Sequence, residues 1–281
     1  MDRRILLVDT HNLVMRYIAT NNTAFYAIFK FLLQFIKTQS YQISEAIFVF
    51  DSKRPEFRKR LLPTYKSTRT PNPKIVHQIN QIKNILPTLG LPIAILNNYE
   101  ADDCIYKIIK ELPDEKFVIY SADKDFIQLD DDRIHVFKPI KKGFQRVKKP
   151  NYFMIRKVLL GDKSDNIGGI LHVGPVTADK IVEEVQEDTF PLFLEHLDRS
   201  SFNHLIDPDI LSRNYKLMNL NYAYENYTKN INGRLIWRSQ FYPNKFISYC
   251  HKFRSQSLIS RAYYLESIIN SMGLPELPTF K

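Results

Sequence analysis

Ile5-Leu6-Leu7-Val8-Asp9 is a short apolar run that stops at a carboxylate, and Ala46-Ile47-Phe48-Val49-Phe50-Asp51 repeats the pattern. Lys116–Tyr120, leading into Ser121-Ala122-Asp123, is a third such run. Segments apolar at successive positions read as strands buried on both faces. Between them, Phe25, Ile28, Phe29, Leu32, Leu33 and Ile36 recur at helical spacing, as do Ile75, Val76, Ile79, Ile82, Ile85, Leu86 and Leu89, with Pro87 and Gly90 near the end of the second stripe. Leu91–Leu96 and Arg133–Phe137 read as further strands, and Glu100–Leu112 as a helix with Ile105, Ile108, Ile109 and Leu112 inward. The alternation predicts an α/β fold, a mostly parallel mixed sheet flanked by helices. Ligands of such sheets sit outside the carboxyl ends of the strands, where Asp9, Asp51 and Asp123 stand. Beyond residue 150 the strand signals fade, apart from extended pieces near Leu235–Trp237. The expected division is therefore 1–150, an α/β core, and 151–281, a helical region.

Composition narrows the function. Among 281 residues, 44% are hydrophobic and 25% charged, which excludes a disordered or collagen-like chain. Two cysteines exclude a disulfide framework and a multi-cysteine zinc site. Met1-Asp2-Arg3-Arg4 is a poor signal peptide, and Lys30 and Gln34 interrupt the best apolar run, so a soluble cytoplasmic protein is expected. The net charge of +10 is unevenly spread. Residues 53–74 carry Lys53, Arg54, Arg58, Lys59, Arg60, Lys66, Arg69 and Lys74 against Glu56 alone. Residues 133–157 carry Arg133, Lys138, Lys141, Lys142, Arg146, Lys148, Lys149, Arg156 and Lys157 with no acid. Two basic blocks beside an acidic remainder point to phosphate as partner, against the alternative of solvated surface.

The acids sit at telling places: Asp9, Asp51, Glu100, Asp102, Asp103, Asp123, Asp125, Asp162 and Asp165. On a helix, Glu100 and Asp103 share a face and Asp102 points elsewhere. Carboxylates gathered at one sheet edge repel by several kcal/mol at about 4 Å. Hard divalent cations relieve this, and two of them about 4 Å apart suit in-line displacement at a phosphodiester. The competing reading is helix caps, since Asp9, Glu100 and Asp123 all begin plausible helices. No G-x-S-x-G elbow is present, and Gly161-Asp162-Lys163-Ser164 matches only the end of a P-loop. The histidines are scattered, Cys104 reads as core, and Cys250 as a buried or partly exposed thiol.

Of eight glycines, Gly161, Gly168, Gly169 and Gly174 fall in one short stretch between a helix at Phe153–Leu160 and another starting near Pro175. Such a turn offers backbone N–H groups to phosphate. Here the chain resembles the flap endonuclease/5′-nuclease family, most closely the bacteriophage 5′-3′ exonucleases and RNase H type flap endonucleases. The matching segments are Leu7-Val8-Asp9-Thr10-His11-Asn12-Leu13 with Arg16, Phe57-Arg58 and Pro63-Thr64-Tyr65-Lys66 with Arg69, Glu100-Ala101-Asp102-Asp103, Ser121-Ala122-Asp123-Lys124-Asp125-Phe126, and Leu160-Gly161-Asp162-Lys163-Ser164-Asp165-Asn166-Ile167.

The resemblance implies a PIN-like 5′-nuclease fold with a helix–three-turn–helix element at about 153–186 and, at about 53–75, a helical arch or gateway through which a 5′ end passes. It implies two Mg²⁺ or Mn²⁺ ions, one supported by Asp9, Asp51 and Asp102, the other by Asp123, Asp125, Asp162 and Asp165, with Glu100 and Asp103 bridging or outer. Lys66 and Arg69 would hold the scissile phosphate, Tyr65 would stack on a base, and Arg16, Arg58, Gly169, Gly174 and Thr177 would contact DNA. The implied substrates are flapped or branched DNA, 5′ ends and RNA–DNA hybrid. A monomer, replication proteins as partners and K⁺ at the glycine turn are expected with it. Thr10, His172 and Val176 depart from the family pattern, where Gly, Gly and a phosphate-contacting Lys are usual. A catalytically silent binder of branched DNA is the alternative. A minimal ribonuclease of related fold leaves the gateway block and the glycine turn unexplained.

Overall fold

The computed structural model describes residues 3–18, 23–35, 42–139, 143–144, 150–187, 189–231, 233–236 and 240–272. In chain order the first half holds β1 (Arg3–Asp9), α1 (Thr10–Ile18), α2 (Ala24–Phe35), β2 (Gln42–Phe50), α3 (Glu56–Leu61), α4 (Pro73–Ile85), β3 (Ile93–Leu96), α5 (Ala101–Glu111), β4 (Phe117–Tyr120), β5 (Ile134–Lys138) and β6 (Gly143–Phe144). The second half holds α6 (Pro150–Leu160), β7 (Gly161–Asp162), β8 (Ile167–Gly168), α7 (Pro175–Val185), α8 (Phe190–Glu195), α9 (Pro208–Met218), α10 (Leu220–Ala223), β9 (Gly233–Ile236), α11 (Pro243–Lys252) and α12 (Ala262–Ser271). Ile36 and Trp237, assigned to elements from the sequence, lie outside the described residues.

The described strands form a sheet in the order β6-β5-β4-β1-β2-β3-β9, with β5 to β3 parallel and the two edges antiparallel. This is the α/β sheet expected. Alternate residues of each strand feed opposite cores, as a period of two requires. Leu6, Val8, Phe48, Phe50 and Val118 face α2 and α4, while Ile5, Leu7, Ile47, Val49 and Ile119 face α5. The extended piece near 235 is β9, which runs antiparallel to β3. Phe241, Phe246, Cys250, Leu265 and Ile269 then join Phe25, Phe29 and Leu32 in one core, and the Phe25 and Phe246 rings stack at 5.6 Å. These contacts cross the expected boundary at 150, because the apolar face of α2 needs a cover that the first half does not supply. Among the described residues no helix is long and apolar enough to cross a membrane.

The second half builds a separate core from α6, α7, α8 and α9. α6 and α7 flank the glycine turn, where the resemblance placed a helix–three-turn–helix element. The turn is closed by a small antiparallel ladder pairing Gly161 with Gly168 and Asp162 with Ile167. Buried Asn214 of α9 pins it, donating to the Val158 carbonyl at 3.1 Å and the Gly168 carbonyl at 2.8 Å. His172, at a usual glycine position, has φ 63, a left-handed backbone that a non-glycine residue adopts at some cost. The expected arch is compact: α3 is six residues long, and turns lead from it to α4.

Gly161 has φ 71, and a Cβ there would lie 2.4 Å from the Gly169 nitrogen and the Ile167 oxygen. Gly161→Ala is therefore expected to cost about 2–4 kcal/mol in urea unfolding. Gly168→Ala, with nothing within 4 Å of its added carbon, should stay within about 0.5 kcal/mol. A loss within about 0.5 kcal/mol at Gly161 as well would mean that the turn tolerates a side chain at either place.

Candidate active site

Four neighbouring parallel strands discharge at one sheet edge. β4, β1 and β2 lead to Asp123, Asp9 and Asp51, and β3 leads through a turn to Glu100. Asp9 caps α1, accepting from the Asn12 N–H at 3.0 Å and from the Ser121 hydroxyl at 2.9 Å. Asp51 accepts from the Ala101 N–H at 2.8 Å and lies 3.5 Å from His11 Nδ1. Burial, then the neighbouring Asp51, pushes the Asp9 carboxyl up to about 7.

At the start of α5, Glu100, Asp102 and Asp103 each offer an oxygen within 4.8 Å of the others. The helical-face argument separated Asp102, and the structure corrects it. Glu100 is the N-cap with extended backbone (ψ 165), so helical spacing does not apply to it. Glu100 and Asp103 form a capping box. Burial, then Asp103, pushes the Asp102 carboxyl well above the usual range.

Arg58 corrects a second expectation. Assigned to DNA from the sequence, it is 1% exposed. It grips Asp103 with two bonds of 2.7 Å, reaches Glu100 at 3.3 Å and donates to the Leu217 carbonyl at 3.0 Å. Two carboxylates at the head of α5 need a fixed cation, and a guanidinium matches their geometry. Tyr65, expected to stack on a base, is 4% exposed in the second core, and its hydroxyl donates to Glu100 at 2.8 Å. A buried ring has no free face for a base, so in this conformation its role is structural.

Lys66 stands at the acids. Its Nζ donates to Glu100 at 2.8 Å and lies 3.5 Å from Asp165. Burial works against the Glu100 charge, but Lys66 and Arg58 outweigh it and hold that carboxyl below its usual value. Arg69 bonds Asp165 at 2.5 Å and the Ser164 carbonyl at 3.1 Å. On the other side, Lys157 of α6 bridges Asp125 and Asp162, the latter at 2.9 Å. Burial, then Asp123, still lifts Asp125 to about 6.

The second basic block is not one surface. Arg133 caps the carbonyls of Ile109, Leu112 and Glu115, Lys138 is buried against the Asp123 carbonyl, Arg156 pairs with Asp179, and Lys157 serves the acids. Lys141, Lys142, Arg146, Lys148 and Lys149 lie outside the described residues. Sequence reasoning counted Lys157 as one charge in a run; its place one helical turn before Gly161-Asp162 was the available signal. Ser121 and Asn12, which orient the Asp9 region, were quoted in motifs without a role.

Of the remaining DNA candidates, Arg16 ends α1 and is half-buried. Gly169 is shut in by the Leu160 backbone, at 2.4 Å from a would-be Cβ, whereas Gly174 opens to free space and caps α7. Thr177 lies half-buried in the first turn of α7, and Val176 beside it is 70% exposed.

The donor chemistry fits hard divalent cations. The donors are carboxylate oxygens, and burial, then a neighbouring aspartate, makes Asp9, Asp102 and Asp125 hard to ionise without added positive charge.

Residues 4–157 match the model of the 5′-3′ exonuclease, N-terminal resolvase-like domain family. The thermostable DNA polymerase I of Thermus aquaticus is 33% identical over 213 residues, covering 70% of this chain and 25% of its own length. The 5′-3′ exonuclease of Aquifex aeolicus is 36% identical over 177 residues, covering 57% of this chain and 59% of its own. The chain thus spans about a quarter of the polymerases it matches. In fold it is similar to the bacteriophage T5 flap endonuclease, solved as a pseudo-enzyme-product complex with DNA and metal ions. That likeness has a TM-score of 0.60 at 18% identity, over 95% of this chain and 100% of that one.

Two outcomes are expected. Arg58→Ala should cost about 3–5 kcal/mol by denaturant unfolding, because it strands two buried carboxylates, with Arg58→Lys intermediate. A loss under about 1 kcal/mol would restore Arg58 to the DNA surface. The second concerns pH in chelator. The unfolded Asp9 carboxyl titrates near 3.8 and the folded one near 7, so the folded state holds the extra proton between them. Its contribution to stability therefore falls as pH rises through that window. Asp9→Asn should gain on the wild type from about pH 4 to pH 7 and run parallel above it. Parallel curves throughout would show that Asp9 is not strained when charged.

Proposed function

Because this chain belongs to the 5′-3′ exonuclease family, we propose that it is a metal-dependent, structure-specific 5′-nuclease. It would cut 5′ flaps and 5′ ends of DNA, and RNA primers on DNA, as a monomer working beside replication proteins in the cytoplasm, in a bacterial host if the chain is viral. The observation that carries this reading is the meeting of Lys66, from the gateway segment, with the carboxylates delivered by the sheet edge and α5.

In this reading Asp9, Asp51 and Asp102 hold one Mg²⁺ or Mn²⁺, Asp123, Asp125, Asp162 and Asp165 a second, and Glu100 and Asp103 fix the first from behind. The ions, when bound, supply a polarised water and neutralise the phosphodiester. The chain's own residues do the rest. Lys66 and Arg69, now on Glu100 and Asp165, would exchange those partners for oxygens of the scissile phosphate. Water would attack phosphorus in line and the P–O3′ bond would break, leaving a 3′-hydroxyl on the released 5′ fragment and the 5′-phosphate on the strand that stays paired. The turn with Gly174 and Thr177 would grip the duplex, with K⁺ as a further counter-charge there. The acid set is complete and Lys66 is present, which favours an enzyme over a silent binder.

The test is single-turnover digestion of an end-labelled 5′-flap duplex and an RNA–DNA hybrid. Cleavage should require Mg²⁺ or Mn²⁺ and stop with chelator. Asp102→Asn should lose about a hundredfold or more in rate while binding flap DNA as well as the wild type. Binding without cleavage by the wild type in either metal would establish the silent reading.

A further inference from the structure

Lys66 is not a relaxed side chain on a relaxed backbone. Its φ is 50, in the left-handed region that a residue with a Cβ occupies only when its surroundings hold it there. Those surroundings are the turn at 163–166. The Lys66 N–H donates to the Asp165 carbonyl at 2.9 Å. Two residues on, the Thr68 hydroxyl donates to Asn166 Oδ1 at 2.9 Å, with the Thr68 N–H at 3.5 Å from the same atom. Arg69 then reaches the Ser164 carbonyl. Asn166 is itself left-handed, with φ 62, at the end of the short 3₁₀ turn Lys163–Asp165. Two left-handed residues therefore face each other across one seam, and that seam joins the gateway segment to the glycine turn.

We propose that Asn166, acting through Thr68, is a positioning residue that locks the gateway segment onto the glycine turn and so holds Lys66 in its left-handed conformation at Glu100. This rests on the function proposed above and deepens it: the turn expected to grip duplex and the lysine expected to meet the scissile phosphate become one rigid piece. Without the lock, Lys66 is free to relax to an ordinary backbone, and its Nζ leaves Glu100. Asn166 supplies both parts of the lock, since its amide oxygen accepts and asparagine tolerates a left-handed backbone better than most residues.

The test uses the full chain and four variants: Asn166→Gly, which keeps the left-handed backbone and loses the acceptor, Thr68→Val, which loses the donor, Thr68→Ser, which keeps it, and the Asn166→Gly/Thr68→Val pair. Amide hydrogen exchange at residues 66–69, with β1 as internal control, reads the lock without any catalysis. Exchange there should rise about three- to tenfold in Asn166→Gly and in Thr68→Val, no further in the pair, and not in Thr68→Ser, with β1 unchanged. Single-turnover cleavage in Mg²⁺ should fall by the same factor, while equilibrium binding of flap DNA in Ca²⁺ stays within about twofold. Unchanged exchange in Asn166→Gly, or effects that multiply in the pair, overturns the proposal. A wild type that never cleaves, yet shows the exchange pattern, would sink the nuclease reading and keep the seam. A wild type that cleaves, with Asn166→Gly cleaving equally fast, would do the reverse.

Discussion

Repulsion between carboxylates is the constraint around which this molecule is arranged. Parallel strands must end on the same side of a sheet, and here three of them end in or lead to an aspartate while a fourth leads to Glu100. The crowd is then enlarged by Asp102 and Asp103 at the head of α5 and by Asp125, Asp162 and Asp165. Where such groups lie a few ångströms apart at reduced dielectric, as Glu100, Asp102 and Asp103 do, they cannot all carry charge unless cations stand among them. Among the described residues, Arg58, Lys66, Arg69 and Lys157 form ion pairs with these acids.

These cations come from three places in the chain, and that has consequences for packing. Arg58 rises from α3, Lys66 and Arg69 from the turns after it, and Lys157 from α6. Arg58 also donates to the last turn of α9 through the Leu217 carbonyl, so a buried ion pair at the head of α5 ties the helical half to the sheet. A buried pair of this kind adds little net stability when intact, yet is costly to break. Its value here is geometric, since it fixes where Glu100 and Asp103 point and leaves Asp102 beside them with its carboxyl hard to ionise.

The sheet was legible because its signal is local. Runs such as Ile5–Val8 and Ala46–Phe50 are apolar at every position, which only a strand covered on both faces requires. The acid set was legible for the same reason, since a carboxylate at the end of each run stands at a known edge. What sequence could not show was direction. Arg58 and Lys59 are adjacent in one basic block, yet one is buried under Asp103 and the other exposed. Tyr65 beside Lys66 reads as a nucleic-acid contact, and the structure turns it into the second core. Asp102 was set apart by a helical period that begins one residue later than assumed. β9 escaped as a sheet strand because its pairing with β3 joins residues far apart in the chain.

A basic block is usually weighed by its net charge, and the two blocks here show why that weight misleads. Charges that answer carboxylates inside the fold are not available to attract a distant polyanion. Arg58 and Lys157 are spent in this way, Arg133 caps helix-end carbonyls, and Lys138 is buried against a backbone oxygen. Lys66 and Arg69 differ because their partners, Glu100 and Asp165, are the groups around which divalent cations would gather in the proposed enzyme. Positive charge added there weakens the hold of Glu100 and Asp165 on the two side chains, and a phosphate oxygen becomes the better partner. In the proposed enzyme, the same two contacts that neutralise Glu100 and Asp165 would keep Lys66 and Arg69 in place until metal and phosphate arrive.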